Sequence, residues 1–160
     1  RTMDRADDTS GGFAPMYYAG AENMNIIEYL SNQSALSIFF GALKSSGMDY
    51  EISQSENITV FAPINQAFGE LPPQKAEFLM TCDKKDLKDI LRFHFVEGSL
   101  SEMDLREKDS LTALNGQTLD LTRNWFSTSI EGATIRSYEV VTSNGVIHLV
   151  DKLIMPSEDK

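Results

Sequence analysis

The chain has 160 residues, 41% of them hydrophobic, which suits one domain with a real core and argues against disorder. Fourteen Lys and Arg against 24 Asp and Glu give a formal charge of -10, which repels nucleic acid and anionic lipid and removes both as expected partners. The single cysteine, Cys82, permits no intrachain disulfide and no four-thiolate metal site.

Residues 1–22 read as a polar tail or linker: RTMDRADDTSGG has no apolar period, and FAPMYYAGA adds aromatic groups that pack onto the body. Such a tail would tether a folded domain to a membrane anchor. One domain is expected over 23–157, followed by a short tail over 158–160. The first helical signal is NMNIIEYL, with Ile26, Ile27 and Leu30 on one face. The second is SALSIFFGALKSSGM, with Ser34 as N-cap, an apolar face of Leu36, Phe39, Phe40 and Leu43, and Gly47 as the C-terminal cap.

ENITVFAP follows. The run Ile58, Thr59, Val60 and Phe61 predicts a buried strand, which Pro63 stops before a short helix in INQAFGEL. KAEFLM is a short helix. DKKDLKDILRF is a clearer one, with Leu87, Ile90 and Leu91 along one side. From His94 onward the period is two. HFVEG predicts a strand, Asn115-Gly116 a hairpin turn, and Asn144-Gly145 a second hairpin turn through positive φ. Helices first and strands after predict an α+β fold.

The chemistry-bearing residues are few. In GVIHLVD, alternation sends Val146, His148 and Val150 one way and Ile147, Leu149 and Asp151 the other. Asp151 therefore cannot orient His148, and the pair reads as structural. In FHFV, alternation puts Phe93 with Phe95, and His94 with Val96, so His94 reads as a satisfied core group. The chain contains no His-x-His, His-Glu-x-x-His, nucleophile elbow or phosphate-binding glycine loop. Cys82, in MTCDKKD, has no neighbouring histidine to activate it. No apolar run is long enough to span a membrane. A non-enzymatic protein without metal or cofactor is expected.

ITVFAPINQAF (Ile58 to Phe68), LRFHFVEG (Leu91 to Gly98) and SNGVIHLVDKLIMP (Ser143 to Pro156), in this order and spacing, closely resemble the three motifs of the fasciclin, or FAS1, domain. LTALNGQTLDL resembles the stretch between the second and third motifs. NIIEYLSNQSALSIFFGALKSSGM resembles the family's opening helices, and PMYYAG the lead-in of small bacterial members. The resemblance covers about Met16 to Pro156. It implies two small β-sheets forming a wedge, with helices packed along one side. It also implies a secreted, periplasmic or surface-anchored adhesion module, monomeric, that binds a cell-surface or extracellular-matrix protein or polysaccharide. By the same resemblance, Thr59, Val60, Phe61, Ala62, Pro63, Asn65, Phe68, Asn144, Gly145, Val146, Ile147, His148 and Asp151 are motif residues that carry the fold. Val60, Phe61, Phe68, Val146, Ile147 and Leu149 are expected in the core.

Phe93 and His94 match the motif that in animal members is tied to integrin-dependent adhesion, and are carried over as the binding pair. Phe93 stands where the family usually has Tyr, so the phenolic hydroxyl is missing. Ile64 stands where a Thr or Ser commonly follows Phe-Ala-Pro. Asn65 is expected to take over the cap of the short helix, at a cost of about 1 kcal/mol or less. The alternative function is a polysaccharide or small-ligand module that uses an exposed aromatic platform. Its candidates are Trp125 with Phe126 and Tyr17 with Tyr18, and the expectation is that one of each pair packs inward. Asn32-Gln33-Ser34 and Asn57-Ile58-Thr59 fit the glycosylation pattern by chance, with Ser34 and Thr59 serving the fold.

Overall fold

The computed structural model describes residues 21–156, apart from the side chains of residues 137 and 138. Helix α1 (Ile26–Ser31) starts from a reciprocal cap: the Asn25 side chain accepts the Glu28 N–H at 2.8 Å, and the Glu28 carboxylate accepts the Asn25 N–H at 2.9 Å. Helix α2 (Ser37–Ser46) follows a 3-10 turn over Ser34–Leu36, and ends at Gly47 with φ of 85°. Helix α3 (Met48–Ser53) continues directly. Leu36, Phe39 and Leu43 of the predicted apolar face are buried, with Phe40 half-buried. After strand β1 (Ile58–Pro63) come α4 (Asn65–Gly69), α5 (Pro73–Thr81) and α6 (Lys84–Arg92). Asp83 caps α6 by accepting the Asp86 N–H at 2.9 Å. An Arg92–Glu51 ion pair of 2.9 Å ties α6 to α3. No helix among the described residues is long and apolar enough to cross a membrane.

The remaining elements are β2 (Phe95–Glu97), α7 (Glu102–Arg106), β3 (Ser110–Thr112), β4 (Thr118–Arg123), β5 (Thr128–Ile130), β6 (Ala133–Val141) and β7 (Gly145–Val150). The strands hydrogen-bond in the order β2-β1-β7-β6-β5-β4-β3, all antiparallel except β1 with β7. A Val96–Ala113 bridge nearly closes the ribbon. The register of β6 breaks between Ile135 and Glu139. Such a break bends a strand. It divides the ribbon into two halves, β2-β1-β7-β6 and β6-β5-β4-β3, which form the expected wedge with helices along one side.

Two apolar cores follow from this geometry. One lies between the helices and the first half, and contains Phe39, Leu43, Val60, Ala62, Phe95 and Ile147. The other fills the wedge with Phe61, Phe93, Leu105, Leu119, Ile130 and Val150. Strand alternation explains the split along β1: Val60 and Ala62 face the helices and Phe61 faces the wedge. Phe68 and Leu149 only lean on the first core, half-buried.

Several local expectations are corrected. Strand β2 begins at Phe95, and Phe93 and His94 lie in the turn after α6, so Phe93 enters the wedge core while Phe95 enters the helical one. Helical, not extended, geometry at Phe93 removes the alternation that would have paired them. Ser34 does not cap α2; it starts the 3-10 turn. Gly116 does adopt positive φ, at 91°, between β3 and β4, but neither Asn144 nor Gly145 does. Helices α3 and α7 are additions to the sequence reading. Ala21, in the segment before the expected domain, is 2% exposed and packs onto the first core. Tyr17 and Tyr18 lie outside the described residues.

Candidate functional site

Both motif histidines are fully buried. The His94 ring sits between two backbone groups: Nδ1 lies 2.9 Å from the Ile90 carbonyl, and the Ile154 N–H donates to Nε2 at 3.2 Å. An acceptor at Nε2 fixes the neutral tautomer with the proton on Nδ1, which donates to Ile90. The imidazole thus ties α6 to the C-terminal segment beyond β7. Burial pushes its pKa down to about 4, with the Ile90 carbonyl pulling the other way. His148 stacks on Phe61 with centroids 5.6 Å apart and donates from Nε2 to the Leu100 carbonyl at 2.7 Å. Its Nδ1 is buried without a partner. Burial lowers its pKa too, opposed by the Leu100 carbonyl and by Glu139 and Glu102. Asp151 is engaged elsewhere: its Oδ1 accepts the Thr134 N–H at 2.8 Å. Phe93 is 2% exposed and His94 is 0% exposed, so the pair carried over for binding offers no surface to a partner in this structure.

The other motif residues hold segments together. Thr59 Oγ1 donates to the Gly98 carbonyl at 2.5 Å and accepts the Leu100 N–H at 2.9 Å. Asn144 Oδ1 accepts the Ile26 N–H at 2.9 Å, and Nδ2 donates to the Ile52 and Ser55 carbonyls at 3.1 and 3.0 Å, joining the β6–β7 hairpin to the start of α1 and the end of α3. Gly145 is needed for space, not for φ: a Cβ there would stand 1.8 Å from the Ile58 carbonyl oxygen of the parallel neighbour. Asn65 does not cap its own helix. Its Oδ1 accepts the Ile38 N–H at 2.9 Å, and its Nδ2 donates to Ser34 O and Ser37 Oγ at 3.0 Å each, so it caps α2 from a distance. Cys82 is half-buried with its thiol pKa raised, first by burial and then by Asp86 and Asp83. Among the described residues no cluster of His, Cys, Asp and Glu is placed to hold a metal ion.

The surface feature that stands apart is the turn between β4 and β5. Trp125 and Phe126 are its two tip residues, 95% and 94% exposed. The expectation that one of them packs inward is therefore corrected. The cause is local. The Asn124 N–H donates to Ser127 O at 3.0 Å, and Asn124 Oδ1 accepts the Phe126 and Ser127 N–H groups at 2.7 and 2.9 Å. This closes a two-residue tip without positive φ and points both rings away from the wedge. Arg123, just before the tip, donates to the Leu105 and Lys108 carbonyls and lies 3.6 Å from Asp109, fastening the turn to the end of α7 and the segment after it. A recess of about 300 Å³ lies beside the rings, lined also by Glu102, Arg106, Ser127 and Thr128. Arg106 in turn is paired with Glu102 at 3.1 Å. Two exposed rings on a braced turn can stack on, or wedge into, a partner at little ordering cost. The asparagine three residues before a serine in NWFS is the sequence signal for this turn.

Comparison with known proteins agrees with this fold. Residues 34–156 match the family described as Fasciclin domain. The chain is 32% identical over 134 residues to Protein sll1483 of Synechocystis sp., an alignment covering 83% of this chain and 74% of that protein. It is 26% identical over 137 residues to periostin of Homo sapiens, covering 85% of this chain but 16% of periostin. Among solved structures, a FAS1 domain pair from the insect cell adhesion molecule fasciclin I aligns with a TM-score of 0.59 at 19% identity, over 75% of this chain and 45% of that one, a likeness of fold.

Proposed function

The chain belongs to the fasciclin domain family, and on that premise we propose that it is a non-enzymatic adhesion or interaction module, extracellular, periplasmic or anchored at a cell surface. It works as a single monomeric domain over residues 23–157 and holds a cell-surface or extracellular-matrix macromolecule, protein or polysaccharide. The similarity to a domain pair of an insect cell adhesion molecule supports the adhesion reading. The burial of both histidines on backbone partners supports the non-enzymatic one, since neither can meet a substrate without unfolding its surroundings.

The observation that carries the proposal is the exposure of Trp125 and Phe126 on a braced turn, while Phe93 and His94 are sealed in the core. Binding therefore runs through the β4–β5 turn. The test is to immobilise the purified chain and screen matrix proteins, polysaccharides and intact cells at low and physiological salt. Saturable binding that survives physiological salt and is lost in the W125A/F126A double variant is the expected result. Binding that disappears with salt reflects charge alone and overturns the reading. Binding that the double variant retains moves the site elsewhere.

A further inference from the structure

We propose that the β4–β5 turn takes a neutral polysaccharide, with the Trp125 and Phe126 rings stacking on the C–H faces of sugar units and the adjoining recess hydrogen-bonding their hydroxyls. This rests on the reading that the turn is the binding site, and it adds the chemical class of the ligand.

Three features of the turn select that class. First, the apolar part is small and flat-faced: two rings on one tip, with polar side chains around them. A stable protein partner would need a buried patch of roughly 800 Å² on each side with an apolar centre, and two tip rings of roughly 150–250 Å² each fall well short of that. A sugar needs only ring faces beside hydrogen-bonding groups.

Second, the recess offers both donors and acceptors close to the rings. The Ser127 and Thr128 hydroxyls act as either, the Arg106 guanidinium donates, and the Glu102 carboxylate accepts. About 300 Å³ is the lower end of what holds a small ligand, enough for one or two sugar rings of a longer chain.

Third, the charges at the recess are already matched. Arg106 faces Glu102 at 3.1 Å, and Arg123 faces Asp109 at 3.6 Å while also donating to two backbone carbonyls. An acidic polysaccharide would find both arginines already paired, and would approach a chain of formal charge -10. The same charge opposes an anionic membrane. A ligand without charge fits this balance.

The experiment uses a property of the chain itself. Trp125 is its single tryptophan, so intrinsic tryptophan fluorescence reports this site alone. The full chain is titrated with neutral gluco-, xylo-, manno- and N-acetylglucosamine hexasaccharides, with an acidic uronic-acid oligosaccharide, with phosphatidylcholine vesicles, and with the matrix proteins of the first screen. A neutral oligosaccharide is expected to shift the emission to the blue, protect it from acrylamide and saturate. Calorimetry should show at least tenfold weaker binding for Trp125→Ala and for Phe126→Ala, with melting temperatures unchanged. If no neutral oligosaccharide shifts the emission, the ligand class is overturned. If a matrix protein or the vesicles shift it instead, the turn remains the site and its partner is a protein or a membrane. If sugar binding persists in the double variant, the placement at this turn is overturned, and with it the reading on which the inference rests.

Discussion

The β6–β7 hairpin and the β4–β5 hairpin are both short turns in one continuous ribbon, and they use their polar residues in opposite ways. At the first, Asn144 directs its amide mainly outward, to the Ile26 N–H at the start of α1 and to the Ile52 and Ser55 carbonyls at and just after the end of α3, and Gly145 leaves the carbonyl of Ile58 just enough room. At the second, Asn124 spends its carbonyl on the turn itself, and the two residues it frees are aromatic and exposed. The difference teaches that the stretches which identify this family are the ones that build it. A residue that fixes several segments cannot also be offered to a partner.

The largest expected effect tests the building role. Gly145→Ala puts a Cβ against the Ile58 carbonyl, and backbone cannot move aside cheaply within a paired strand. It should cost more than about 4 kcal/mol or prevent folding altogether. Gly116→Ala is the control, because Gly116 has open space around it and pays only for positive φ. That should cost about 1–2 kcal/mol. Urea unfolding of the two variants checks the contrast, and equal losses would mean that Gly145 serves its turn and not the close approach.

His94 comes next. His94→Ala leaves the buried Ile154 N–H without its partner, takes from the Ile90 carbonyl the ring donor and leaves it only the Phe93 N–H, and opens a cavity beside Phe39. A loss of about 2–4 kcal/mol is expected. The pH dependence carries the same signature. The folded pKa is about 4 and the ordinary value is 6.5, so as pH falls the unfolded chain takes the proton first. Stability from the neutral ring is full above pH 6.5 and is lost as the pH falls towards 4, by about 3 kcal/mol. His148 shifts in the same direction and adds to the loss. Thermal melts from pH 7.5 to 4 should fall steeply below 6.5, and less steeply in His94→Ala. A flat profile would contradict the buried neutral rings.

How much of this was legible depended on whether a signal was local. Strand β1 and helix α6 were readable because their apolar periods lie within one segment. The wedge came from the motif resemblance, and no single segment shows it. Helices α3 and α7, six and five residues long, carry too little periodicity to announce themselves. Asn65 looked like the cap of its own helix because capping is sought within a few residues. Its actual partner, the Ile38 N–H, is 27 residues away and becomes visible only once the chain has folded. Trp125 and Phe126 are legible as a candidate exposed platform, but the exposure of both rings is not, for a related reason: an adjacent aromatic pair is expected to send one ring inside, and the side-chain bonds of Asn124 turn both out.

Asn65→Ala should be a smaller perturbation, about 1 kcal/mol, the value of one helix cap. The distant assignment makes a finer statement. Asn65 Nδ2 also donates to Ser37 Oγ, so Ser37→Ala and Asn65→Ala should be non-additive in a double-mutant cycle, with a coupling of about 0.5 kcal/mol or more. Strict additivity would return Asn65 to its own helix.

The smallest effect on stability is the one that bears most on function. Trp125 and Phe126 touch solvent over nearly all their surface, so the folded state gains little from them. Replacing both with alanine should change unfolding free energy by no more than about 0.5 kcal/mol. If such large apolar groups contribute nothing to the fold, their exposure is a cost in solubility that the isolated domain does not recover. Binding is where it can be recovered, and the double variant should lose its partner while melting like the parent. A double variant that melts several degrees lower would show instead that the rings fold back onto the wedge in solution. The β4–β5 hairpin would then be a second building element, and the contrast with the β6–β7 hairpin would disappear.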